Sequence, residues 1–278
     1  KILSPVSTSY NNHSIYLNPT PSIGGTLISF SLKMLDLIEP DATNLTKSMI
    51  ITSLVRRFNP IHKSKEHELS SILDPKQINI YKKLMKEPIE KVLSLSKENI
   101  QNQNNNLGST THVSIVDKNM NSISITTTNG EGCGYVIPKT GIMLNNMLGE
   151  QDLNLHGFHK WTPNRKIPSM ISPTMVFKEN KFLVALGGGG SNRIRSSIIQ
   201  TLINLIYYGQ PLSKAIESPR MHIEDNNLYI EPGVKIANLC NMETQSFNKK
   251  NLCFGGVNAA SSKESAADSR RSGYAVFE

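Results

Sequence analysis

Gly108-Ser109-Thr110-Thr111-His112 is the stretch on which the reading of this chain turns. Before it runs Asn99-Ile100-Gln101-Asn102-Gln103-Asn104-Asn105-Asn106, a low-complexity polar segment that suits an exposed linker better than packed structure. After it come two alternating runs, Val113-Ser114-Ile115-Val116 and Ser122-Ile123-Ser124-Ile125-Thr126-Thr127-Thr128. Asp117-Lys118-Asn119-Met120-Asn121 between them predicts a hairpin turn. A linker leading into a buried strand that opens on Thr-Thr is what a self-cleaving chain needs, because the cut makes a threonine the new N-terminus. An internal threonine hydroxyl is a poor nucleophile. An N-terminal one carries its own base, an α-amine with a pKa of about 7.7–8.0. The alternative is that Thr110 and Thr111 are ordinary β-branched residues opening a strand.

Outward from that point the chain reads as mixed helix and strand. Ser14-Ile15-Tyr16-Leu17 predicts a short strand, and Leu27 to Ile38 carries helical spacing stopped by Pro40, with Ser22 a candidate cap. The Gly24-Gly25 pair is read as a packing contact. Further helices are predicted over Asn44–Phe58, Asp74–Met85 and Glu87–Glu98. Beyond the hairpin come a glycine-rich loop (Gly130 to Gly134), apolar runs at Tyr135–Pro138 and Gly141–Leu144, and strands at Met175–Phe177 and Phe182–Leu186.

Leu186 then breaks into Gly187-Gly188-Gly189-Gly190-Ser191-Asn192-Arg193, followed by helical spacing through Ile198, Leu202 and Leu205. Backbone amides at such a junction can hold a phosphate or form an oxyanion hole, and plain structural punctuation is the third option. The loop lacks the P-loop pattern, and Arg193 is its nearby cation, so the phosphate reading is weak.

Composition narrows the classes. With 278 residues the chain can build a substantial core. No apolar run approaches the ~18–20 residues of a membrane span, and mean hydropathy is -0.29. The +8 charge is spread over scattered basic pairs without an aromatic stripe, which argues against a nucleic-acid surface. Cys133, Cys240 and Cys253 are odd in number and far apart, making neither a disulfide framework nor a zinc site, and no cofactor motif is present. The chain begins at Lys1 without a methionine or leader, so compartment is not read from it.

The ordered set of Pro19 to Gly25, Thr110-Thr111-His112 before an Asp-Lys turn, Thr126-Thr127-Thr128, Gly141–Asn146, Ser169 with Ser172-Pro173-Thr174, Gly187–Arg193, Phe254–Asn258 and Asp268–Gly273 resembles the γ-glutamyltransferases across almost the whole chain. These are also called γ-glutamyl transpeptidases or glutathione hydrolases, and they are N-terminal-nucleophile hydrolases. The resemblance implies an α+β fold, a four-layer αββα sandwich, here missing part of the large subunit. Residues 1–109 would be the C-terminal part of the large-subunit region with its linker, and residues 110–278 the small catalytic subunit. It implies γ-glutamyl transfer or hydrolysis of glutathione and related amides after self-cleavage between Ser109 and Thr110, with water or an amino-acid or peptide acceptor. The partner it implies is the other subunit of a heterodimer cut from one precursor; members of the family are often periplasmic or secreted, which assigns no compartment to this chain.

By residue, Thr110 would be the nucleophile, Thr128 its hydrogen-bond partner, and the Gly190 and Ser191 amides the oxyanion hole. Ser169 would bind the substrate α-carboxylate, Glu150 the α-amine, and Asn129 and Glu131 would stand in for a family asparagine or glutamate. Departures are Met170 and Met147 in place of a serine and a glutamine, Ser191 for a glycine, a short loop after Thr128, and a reduced polar stretch between Glu150 and Arg165. The family's carboxylate-binding arginine lies upstream of the region matched here. A truncated or non-processing relative serving as a subunit or binding module is the alternative. His112, Arg220 and His222 are read as structural.

Overall fold

The computed structural model describes residues 2–59, 69–97, 110–154, 157–224, 227–235 and 242–278. The Asn-rich linker, Gly108, Ser109 and Cys240 lie outside them. Eleven strands and six helices occupy the described residues. The strands are β1 (Val6–Tyr10), β2 (His13–Leu17), β3 (Thr110–Val116), β4 (Ser122–Thr128), β5 (Thr174–Lys178), β6 (Lys181–Gly189), β7 (Met221–Glu224), β8 (Asn227–Ile230), β9 (Glu243–Ser246), β10 (Gly256–Ala260) and β11 (Ser265–Ala267). The helices are α1 (Gly24–Leu35), α2 (Ala42–Phe58), α3 (Pro75–Met85), α4 (Ile89–Lys97), α5 (Arg193–Ile206) and α6 (Leu212–Glu217).

A six-stranded antiparallel sheet, ordered β1-β2-β5-β6-β10-β11, is the backbone of the fold. Residues on both sides of the linker build it, since β2 pairs with β5 from Leu17↔Thr174 to His13↔Lys178. Period-two alternation sends Ile15, Leu17, Val176, Val184, Leu186 and Val257 to one face, toward α1 and α5, with α2 packed behind on α1 in one continuous core. α1 is buried on nearly every side, which explains its almost unbroken apolar and small-residue sequence. Its N-terminus comes close to neighbouring backbone: a Cβ on Gly24 would overlap Ser172 Oγ and the Met170 carbonyl, and one on Gly25 the Asn18 carbonyl. Ser22 does not cap this helix. Its hydroxyl instead donates to the Ser169 and Ile171 carbonyls at 2.8 Å, tying the helix entry to the strand that follows. α2 is capped by Asp41, which accepts from Asn44 N at 2.7 Å.

β3 and β4 form a two-stranded hairpin laid over the other face of the sheet, against β6 and β10. Its turn is the predicted one, with Asp117 Oδ1 accepting from the amides of Asn119 and Asn121. The face it buries is the polar one of the two that alternation creates. His112, Ser114, Ser124 and Thr126 turn inward, whereas Val113, Ile115, Ile123 and Ile125 face outward at 47, 52, 49 and 53% exposure. Inward polar groups are satisfied there: Ser124 donates to the Leu186 carbonyl, Thr174 N donates to Ser124, and Asn258 donates to the His112 carbonyl.

The layers are therefore helices, a six-stranded sheet and a hairpin, with no helix described on the hairpin's outer side. The apolar runs Tyr135–Pro138 and Gly141–Leu144 fold back on each other around the bridge Val136↔Met143, with Leu144 N donating to the Tyr135 carbonyl at 3.0 Å and Ile137 N to the Ile142 carbonyl at 2.9 Å, too short a pairing to count as strands. Replacing Ile123 and Ile125 by threonine should change the unfolding free energy of this 278-residue chain by less than ~1 kcal/mol each. Leu27→Ala in the buried core should cost about 2–5 kcal/mol. Urea denaturation of the three variants reads the contrast.

Candidate active site

Antiparallel pairing sets Thr110, the first residue of β3, directly opposite Thr128, the last of β4. Both side chains point to the same face, so the Thr110 hydroxyl reaches Thr128 Oγ1 at 3.1 Å. Thr128 Oγ1 also accepts from Gly130 N at 3.1 Å, which fixes the hydroxyl and starts the next loop. That loop is tight: Asn129 O takes the amides of Gly132 and Asn146, and Asn146 Oδ1 takes the amide of Glu131 at 2.7 Å. Gly130 has φ +66, and a Cβ there would overlap the Glu150 and Asn146 side chains. Thr110, Thr128, Asn129, Glu131 and Glu150 thus belong to one connected cluster.

The glycine run meets the same point from below. A Cβ on Gly189 would overlap the Thr110 carbonyl oxygen and stand 3.4 Å from Thr110 Cβ. Gly190 (φ +134) and Ser191 (φ +54) then turn the chain into α5, closed by Arg193 N to Gly190 O and Ile194 N to Ser191 O. Behind this turn, Glu224 binds the side chains of Asn192 and Arg193, the latter at 2.6 Å. Sequence reading gave no role to Glu224, which lies 31 residues from Arg193. Asn146 is the other residue it left without a role, and its only signal was its place in a family motif.

Ser169 has a different set of contacts. Its hydroxyl donates to Ser22 Oγ at 3.3 Å and its carbonyl accepts from Ile23 N and Ser22. His112, on the same face as Thr110, is buried between Thr126 Oγ1 at 2.7 Å and Ser114 Oγ at 2.8 Å. Burial pushes its pKa down to about 4, so near neutral pH the ring under Gly187 stays uncharged. Arg220 and His222 are likewise interior: Arg220 pairs with Asp268 at 2.7 Å, and His222 Nδ1 lies 2.8 Å from Ser196 Oγ.

The model of the gamma-glutamyltranspeptidase family matches residues 1–277. The chain belongs to that family. A glutathione hydrolase proenzyme of Bacillus subtilis (strain 168) is 27% identical over 312 residues, covering 98% of this chain and 52% of the relative. The chain spans about half the length of the curated relatives it matches over most of its length. Among solved structures, a gamma-glutamyltranspeptidase from Pseudomonas nitroreducens complexed with L-DON is 25% identical, with a TM-score of 0.52 over 60% of this chain and 99% of that one. A cephalosporin acylase from Bacillus halodurans, 17% identical, shares the fold alone: its TM-score is 0.74 over 100% of this chain and 54% of that one. These neighbours place the mixed α/β architecture among the N-terminal-nucleophile hydrolases, as the sequence implied.

Electrostatics single out Glu150 within the cluster. Burial, then the nearby carboxylates of Asp152 and Glu131, raise its pKa from an ordinary 4.5 to about 7. Between those values the folded chain holds a proton that the unfolded chain has lost, so stability falls as pH rises through that window and stays lower above it. Glu150→Gln should therefore match the parent near pH 4 and exceed it at pH 8 by on the order of 1–3 kcal/mol. Urea titrations at the two pH values measure the difference.

Proposed function

We propose that this chain is the catalytic part of a γ-glutamyl acyltransferase or hydrolase working through a γ-glutamyl ester on Thr110. The observation that carries the reading is the 3.1 Å hydrogen bond from Thr110 to Thr128, made where Thr110 lies against Gly189 and just before the Gly190–Ser191 turn. In the precursor, Thr110 Oγ1 attacks the Ser109 carbonyl, its proton passing to the amide nitrogen as the C–N bond breaks. That step frees the Thr110 α-amine; hydrolysis of the resulting ester then frees the Thr110 hydroxyl and separates residues 1–109 from residues 110–278.

In turnover the neutral α-amine takes the hydroxyl proton as Oγ1 attacks the γ-glutamyl carbonyl. The Gly190 and Ser191 amides stabilise the oxyanion, and the protonated α-amine gives its proton to the leaving amine. Water or an acceptor amine then cleaves the ester. Losing one backbone donor of this kind costs on the order of 10²–10³ in rate. Glu150 would hold the substrate α-amine beside Asn129 and Glu131, and Ser169 its α-carboxylate. Glutathione is the donor suggested by the relatives' names.

The outward apolar face of β3–β4 supports assembly of this region with the rest of a longer enzyme, since Val113, Ile115, Ile123 and Ile125 are the side chains a further layer would cover. The residues named here need no metal or cofactor for the sequence of steps above.

The test is intact mass under denaturing conditions for the full-length protein and its Thr110→Ala variant. Two wild-type pieces, the smaller starting at Thr110, with an uncut variant, are expected. A single uncut wild-type chain after long incubation would instead favour the non-processing relative. For the processed enzyme, KM for a γ-glutamyl donor should rise as pH falls below about 7, where Glu150 takes up a proton and loses its hold on an ammonium. Initial rates on a γ-glutamyl anilide from pH 5 to pH 8 read that slope.

A further inference from the structure

Glu150 stands on no helix or strand. It is the joint between two short 3-10 turns, Met147–Gly149 and Gln151–Leu153. Both turns close on it: Glu150 N donates to the Met147 carbonyl at 3.3 Å, and Leu153 N donates to the Glu150 carbonyl at 3.1 Å. Turns this short are seldom self-supporting, so their place must be set from outside. Upstream, Asn146 ties the segment to the loop after β4 through Glu131 N and the Asn129 carbonyl. Downstream, Asn154 Nδ2 donates back to the Glu150 carbonyl at 2.6 Å, and Arg56 holds Asp152.

Arg56 lies in the last turn of α2, 96 residues before Asp152 and on the other side of the Asn-rich linker. Its Nη1 donates to Asp152 Oδ1 at 2.7 Å, and its Nη2 donates to the Asp152 carbonyl. A rigid fork that takes both the side chain and the main chain of one residue fixes where the turn lies and which way it faces. The pair is buried, with side chains 6 and 11% exposed, and Arg195 of α5 adds a further positive charge beside it. Even so, Arg56 Nε and Asp152 Oδ2 are buried without a hydrogen-bond partner. Buried ions left partly unsatisfied contribute little net stability, because desolvation offsets their attraction. What this contact supplies is position.

We infer that Arg56 is a positioning residue for the γ-glutamyl donor: by holding Asp152, it sets the Glu150 carboxylate where the donor's α-amine binds. The inference rests on the hydrolase reading above and deepens it, since the donor pocket then depends on residues from both sides of the Ser109–Thr110 bond. Among the described residues the hydrogen bonds of Arg56 go to Asp152, and not to Thr110 or the Gly190–Ser191 turn. Its effect therefore falls on donor binding and not on bond breaking.

The test is steady-state kinetics of the processed full-length enzyme at pH 8, above the Glu150 pKa of about 7. The donors are γ-glutamyl p-nitroanilide and glutaryl p-nitroanilide, the same molecule without its α-amine. Arg56→Met should raise KM for the γ-glutamyl donor at least tenfold while kcat changes less than threefold. With the glutaryl donor, kcat/KM should stay within threefold of the parent. Because Arg56→Met leaves Asp152 buried and unpaired, the pair Arg56→Met with Asp152→Leu is made alongside. That double variant should regain the parent melting temperature without regaining the parent KM. An equal loss on both donors, a fall confined to kcat, or a KM that recovers together with stability would make Arg56 a structural residue only. A parent that cleaves neither donor would instead overturn the hydrolase reading, and this inference with it.

Discussion

Four consecutive positions without side chains carry the rest of the molecule. Each of Gly187, Gly188, Gly189 and Gly190 is pressed by a different part of the chain. A Cβ on Gly187 would fall inside the His112 ring, one on Gly188 would overlap the Gly256 carbonyl, and one on Gly189 the Thr110 carbonyl. On Gly190 it would stand 2.8 Å from the Cα of Gly255. The strand end is therefore a plane against which hairpin, β10 and the turn before it are all set at backbone distance. That closeness is what lets Thr110 lie beside amides instead of side chains. Interiors packed at this density have no slack to absorb a methyl group.

The far side of that plane is braced by charge. Arg220, Asp268, Glu231 and Arg270 form a buried network, with Arg270 to Glu231 at 2.6 Å and Arg270 to Asp268 at 3.1 Å. Arg220 also donates to the Phe254 and Gly255 carbonyls, and Asp268 accepts from Val257 N. The network thus clamps the turn that meets Gly189 and Gly190. Buried pairs of this sort are weak evidence for net stability, since desolvation offsets much of their attraction. What they provide here is position: eight or so backbone and side-chain groups accept one arrangement, and the glycine plane inherits it.

Much of this was legible in the residues. The hairpin and its Asp117 turn follow from alternation and turn chemistry alone. So do the helices at Asn44–Phe58 and Asp74–Met85, whose periodicity is long enough to outweigh local noise. The pairing of Thr110 with Thr128 was implied only by the family resemblance. The hairpin's buried face was not legible, because alternation gives two faces but not which one meets a neighbour. Ser22 looked like a cap by spacing, yet a long-range carbonyl pair at Ser169 and Ile171 competes for its hydroxyl. The environment of Glu150 depends on Gly130, Asn146 and Asp152 arriving together through loops, and no local pattern encodes that. Glu224 behind the Gly190–Ser191 turn belongs to the same class of long-range contact.

The six-stranded sheet takes β1 and β2 from one side of the Asn-rich linker and β5, β6, β10 and β11 from the other. While the chain is continuous, closing β2 onto β5 is a unimolecular event whose entropy grows only slowly with the intervening length. A cut between Ser109 and Thr110 would leave every strand pair and the α1–α5 packing in place, so the two pieces would stay together. It would change the order of the reaction that made them. Reassembly from the unfolded state would then be a bimolecular encounter, sensitive to concentration, whereas the first folding was not. The uncut chain would serve as its own template once, and the nicked molecule would persist through slow unfolding more than through any capacity to refold.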